Sequence, residues 1–72
     1  MRVVVKAIEQ KEGSMDYYIV FNYFNKERRS CITKKVLSYL KTPSVMVGDE
    51  VDVLPSFVNN KEFFKVIKIY HQ

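Results

Sequence analysis

Few residues in this sequence have side chains suited to catalysis, and they do not form a set. His71 is the only histidine and Cys31 the only cysteine. A general base at His71 would sit near the chain end, where side chains are usually mobile. Cys31 has no histidine built into the fold beside it to generate a thiolate, so it reads as small packing material in a strand. One cysteine also excludes an internal disulfide and a cysteine-based zinc site. Glu9 with Glu12, and Asp49 with Glu50 and Asp52, are the only carboxylate clusters, and they read as solvated loop and turn residues rather than metal ligands. Gly13 and Gly48 stand alone, so no glycine-rich loop can cradle a phosphate. The expectation is a non-enzymatic protein without a metal or cofactor.

One constellation stands out. Tyr17, Tyr18, Tyr23, Phe24, Lys26, Arg28 and Arg29 fall within one stretch of 13 residues. Flat side chains on which bases stack, interleaved with bases that track phosphates, are what single-stranded nucleic acid requires. Alternation divides the aromatics between two faces: with Ile19 and Phe21 inward, Tyr17 and Tyr23 are core or rim, and Tyr18, Asn22 and Phe24 face out. Arg28 and Arg29, being adjacent, point to opposite faces. The expected binding residues are therefore Tyr18, Phe24, Lys26, Arg28 and Arg29, joined by Lys61 at the last turn and Lys65 on the closing strand. Charge agrees with this reading. The net charge is +4, but 26–41 carries six bases against Glu27 alone, a basic middle that suits a polyanion. Lys34, Lys35 and Lys41 read as a solvated helix face. A rival class is a protein-interaction or inhibitor module whose bases dock on an acidic partner surface.

The elements that hold these residues follow from pattern. A first strand runs from Val3 to Gln10, and Lys11-Glu12-Gly13-Ser14 forms a loop. Tyr17 to Phe24 is a second strand, which turns at Asn25-Lys26-Glu27 into a third at Arg28 to Thr33. Thr33 caps a helix of about two turns, with Val36, Leu37 and Leu40 on its apolar side and Pro43 stopping it. Gly48 opens a turn into a fourth strand, with Val51 and Val53 inward and Asp52 outward, which ends at Pro55. Asn59-Asn60-Lys61 is the last turn, and Phe63 to Tyr70 the closing strand, with Phe64 and Val66 on one face and Ile67 and Ile69 on the other. Five strands with a helix between the third and fourth describe an all-β Greek-key barrel of the OB type, with an SH3-like barrel as the alternative.

Two families resemble parts of this layout. Ile32-Thr33-Lys34-Lys35 through Val47-Gly48-Asp49-Glu50-Val51-Asp52-Val53 resembles bacterial translation initiation factor 1 and its OB relatives. Gly48 to Tyr70 is similar to the closing half of filamentous-phage gene V type single-strand DNA-binding proteins. Together the resemblances cover about half the chain, from Ile32 through to the closing strand, and both imply an OB-fold and a DNA or RNA partner.

At 72 residues, with 47% apolar and only 2 Gly and 2 Pro, the chain is expected to form one folded domain over 1–72. Its longest apolar patch, 17–21, is far short of the roughly 20 residues of a membrane helix. Lys6 interrupts the apolar start before a signal-peptide core of roughly 7 to 15 residues can form, so a cytoplasmic location is expected. A small core without crosslinks, with Tyr18, Val20 and Phe24 exposed, leads to the expectation of a homodimer.

Overall fold

Alternation and turn chemistry produce six strands and one helix in the computed structural model, which describes residues 1–71; Gln72 of the expected domain lies outside the described residues. In order they are β1 (Arg2–Val4), β2 (Ala7–Gln10), β3 (Tyr17–Tyr23), β4 (Lys26–Ile32), α1 (Lys34–Leu40), β5 (Glu50–Val58) and β6 (Lys61–Tyr70). They form two antiparallel three-stranded sheets, ordered β1-β5-β6 and β2-β3-β4. Most of the chain is therefore β, with the helix between the basic hairpin and the following strand as expected.

The count of six instead of five corrects the sequence reading, and the cause is one peptide. The Val5 N–H donates to the Asp49 carbonyl and the Val5 carbonyl accepts from the Gly48 N–H, both at 2.9 Å, whereas the Lys6 N–H donates to the Val20 carbonyl at 2.8 Å. The expected first strand thus changes sheets between Val5 and Lys6. Barrel closure is corrected too. Among the described residues no backbone ladder joins β4 to β6. The Ser30 hydroxyl donates to the Phe64 carbonyl at 2.7 Å, occupying an acceptor that a closing ladder would use.

Turn chemistry explains the hairpins. The β3–β4 connection is Phe24-Asn25 (φ 49° and 64°) and the β5–β6 connection is Asn59-Asn60 (φ 51° and 66°). Two left-handed residues in succession are the turn whose twist matches that of the flanking strands. The turn expected at Asn25-Lys26-Glu27 therefore lies one residue earlier, and Phe24 belongs to it, not to a strand. Pro55 does not end β5. The paired part of β1 stops opposite Asp52, so from Leu54 onward the outer edge of β5 has no strand neighbour to miss the proline's N–H. The result is a two-stranded ribbon running out to Asn59-Asn60.

The core lies between the sheets and comprises Val3, Val5, Ile19, Phe21, Ile32, Val45, Val51, Val53, Phe64 and Val66. Phe21 is fully buried, edge-on to Phe64 at 5.4 Å between ring centres. Its truncation to alanine would cost about 3–5 kcal/mol. A register shift beside Asp52 and Val53 returns Ile69 to the core side opposite Val51, so Phe64, Val66 and Ile69 share the inward face, correcting the expected division of β6. In α1, Val36, Leu37 and Leu40 pack against the core as their spacing predicts. The Thr33 hydroxyl accepts from the Val36 N–H at 3.2 Å, and Lys41, at φ 56°, ends the helix before Pro43 is reached. Among the described residues no helix is long and apolar enough to cross a membrane.

Candidate nucleic-acid interface

The two left-handed turns lie at one end of the molecule. Arg28 Nε, two residues into β4, donates to Glu62 Oε1, one residue into β6, at 3.2 Å. Tyr23, the last residue of β3, packs on Phe64 with 4.8 Å between ring centres. A lysine follows each turn directly: Phe24-Asn25-Lys26 on one hairpin, Asn59-Asn60-Lys61 on the other.

Phe24 is 72% exposed, and the Phe57 and Phe63 rings of the ribbon are also exposed. The Phe24 ring stands edge-on to Tyr23 at 4.7 Å. It is the outermost member of an aromatic chain that runs through Tyr23 and Phe64 to Phe21. A bulky residue in the left-handed region is uncommon, because its Cβ crowds the backbone there. Along β6, Lys61, Phe63 and Lys65 share one face by alternation, opposite Val58, Ser56 and Leu54 of β5. Phe24, Lys26, Lys61 and Lys65 are thus the expected residues that the fold gathers at or near this end.

Arg28, Arg29 and Tyr18 are used differently. Arg28 faces the seam with β6, bound to Glu62. Arg29 reaches across β3 to Glu9 with two bonds, 2.7 and 3.1 Å, and also to Glu27 at 3.2 Å. Lys6 completes the cluster on Glu27 at 2.9 Å and Asn22 at 3.2 Å. Hydrogen bonding from Arg29 holds the Glu9 carboxyl below its ordinary value, and Lys6, with Arg29 second, does the same for Glu27. The Arg29 guanidinium is held correspondingly more firmly protonated. Any bond from β4 to β2 must cross β3, and the β3 residue in register with Arg29 is Val20, only 2% exposed. Val20 is therefore covered within the monomer, contrary to the exposure assumed for it. Tyr18 lies on this same outer face, half-buried between Glu9 and Cys31, away from the hairpin tips.

Two acidic and terminal assignments also change. Asp49, expected as a surface residue, is 5% exposed and accepts from the Met46 N–H at 2.9 Å. His71 bridges Asp49 (Nδ1 to Oδ2, 3.2 Å) and Thr42 (Nε2 to Oγ1, 2.8 Å). Thr42 Oγ1 also lies 3.0 Å from the Ser44 carbonyl oxygen, within hydrogen-bond reach of the backbone. This Asp–His–Thr chain ties the end of β6 to the α1–β5 loop. Among the described residues no group of three or more His, Cys, Asp or Glu side chains is placed to hold a metal ion.

Sequence reasoning missed Phe57 and Phe63. The misplaced end of β5 at Pro55 hid the ribbon that exposes them; the signal was the Asn59-Asn60 pair, which demands matched strands on both sides. Comparison of the chain with protein-family models, with curated proteins and with solved structures finds no match.

Proposed function

We propose that this chain is a non-enzymatic protein that binds single-stranded DNA or RNA on an OB-like, partly open barrel. The two three-stranded sheets, the first strand divided between them and the helix following β4 support that fold reading. The observation carrying the function is the segregation of charge and aromatics. Four of the 12 bases, Arg2, Lys6, Arg28 and Arg29, form ion pairs with carboxylates. Among the described residues the other eight, all lysines, have no such partner, and Lys26, Lys61 and Lys65 stand beside exposed Phe24 and Phe63. Lysines held free of carboxylates neutralise phosphates at no internal cost, and the rings accept any base. Arg28 and Arg29 leave the phosphate-binding set and serve as the frame that positions it.

Fluorescence anisotropy with labelled oligo-dT and oligo-U between about 50 and 200 mM salt tests the reading. Three lysine–phosphate contacts give a slope of log K against log salt of about −2. Absence of binding at the lower salt would overturn it. The exposed apolar Leu54 and Val58 beside Lys61 and Lys65 favour the second reading, an acidic protein partner. In that case binding to oligonucleotides is absent, while an acidic polypeptide is bound.

A further inference from the structure

We propose that the groove between α1 and β6 is a second nucleotide subsite, taking one base on Tyr39 and its flanking phosphates on Lys35 and Lys65. This rests on the nucleic-acid reading and extends it to a part of the molecule the hairpin tips do not reach. The groove holds about 220 Å³ and is lined by Lys35, Val36, Tyr39, Lys65 and Val66. Its floor is apolar, since Val36 packs against the core and Val66 is buried. Tyr39 is 65% exposed, because the core-facing side of α1 is already filled by Val36, Leu37 and Leu40. Neither Lys35 nor Lys65 has a carboxylate within ion-pair distance among the described residues.

Lys65 joins this groove to the tips. A strand rises about 3.3 Å per residue, so Lys61, Phe63 and Lys65 are spaced about 7 Å apart on one face. A single strand with phosphates on Lys61 and Lys65 and a base on Phe63 is delivered to the groove without turning back. The occupant follows from the lining. Two uncompensated ammonium groups select an anion, and an open aromatic ring over an apolar floor selects a flat group attached to it; a nucleotide supplies both.

The test is an anisotropy series with oligo-dT from about 4 to 16 nucleotides, a range that spans the site sizes of single OB-folds. Tyr39→Ala is expected to leave the melting temperature unchanged. It should bind the shortest oligonucleotides like the parent and lose about tenfold on those long enough to enter the groove, with Tyr39→Phe restoring the affinity. Lys35→Ala should reduce the magnitude of the salt slope by about 0.7 on the long oligonucleotides only. A 4-thiouridine oligonucleotide should crosslink to the peptide containing Tyr39. If Tyr39→Ala matches the parent at every length while Phe63→Ala weakens binding, the groove takes no nucleotide and the nucleic-acid reading stands. If the parent protein binds no oligonucleotide, the reading fails and the subsite with it. A Tyr39-dependent affinity for polyglutamate in place of oligo-dT would overturn the proposal in favour of an acidic polypeptide.

Discussion

Phe24 holds a backbone conformation that a phenylalanine resists. Three of the four left-handed turn residues at the two tips are asparagines, which tolerate such angles, and Phe24 is the exception. A strained residue kept at an exposed tip points to selection for something other than stability. Replacing Phe24-Asn25 by Asn-Gly, the pair best suited to this turn, is therefore expected to raise the melting temperature by a few degrees. The same change should weaken oligonucleotide binding by at least fivefold, because the ring that stacks is gone. Thermal melting and anisotropy on the one variant check both. A lower melting temperature would mean that packing on Tyr23 outweighs the strain, and unchanged binding would remove Phe24 from the interface. The conflict was invisible in the sequence because an aromatic continuing the alternation of Tyr17 to Tyr23 looks like one more strand residue. Arg28 and Arg29 illustrate the opposite limit. Their divergence to two faces was legible from adjacency alone, but the carboxylates waiting there were not: Glu62 comes from 34 residues away and Glu9 from across a third strand.

At the scale of elements, the β5–β6 ribbon places two neighbouring phenylalanines in opposite environments. Phe64 is 7% exposed and touches Phe21 and Tyr23, whereas Phe63 is 52% exposed. Phe64→Ala should cost about 3–5 kcal/mol, a large part of the stability of a domain this size. Phe63→Ala should leave the urea midpoint within experimental error and weaken binding severalfold at every salt concentration, without altering the salt slope. Equal destabilisation by the two variants would show that the ribbon's outer face is structural. Alternation in the sequence put Phe64 with Val66 on one face of the closing strand, but did not say which face was inward. The ribbon itself was lost because a proline inside a strand argues for its end, unless one knows that the neighbouring strand is too short to reach it. The helix was easier: Thr33, the spacing of Val36, Leu37 and Leu40, and a stop before Pro43 are all local signals.

The whole molecule exposes apolar surface only partly at the positions first expected: Phe24, Phe57, Val58, Leu54 and Phe63 are each more than half exposed. A homodimer was expected from exposure of Tyr18, Val20 and Phe24, but Val20 is covered and Tyr18 half-covered within one chain. The open edge of β5 carries Pro55, whose missing N–H blunts the pairing of one edge with another. The proportion of β structure and the position of the helix were legible because alternation and capping are local. The division into two sheets was not, since it depends on which distant carbonyls Val5 and Lys6 meet. That division has a consequence for how the protein comes apart. The amide protons of Val5 and Lys6 are consecutive in the chain, yet one is tied to the loop leading into β5 and the other to β3. Neither sheet can detach without pulling on the same peptide, so the two sheets are expected to open as one unit. In native-state hydrogen exchange, these two amides should then exchange with the same free energy, equal to that of global unfolding, and with the same dependence on denaturant. Different values would reveal two separately opening halves, hinged at the peptide that joins them.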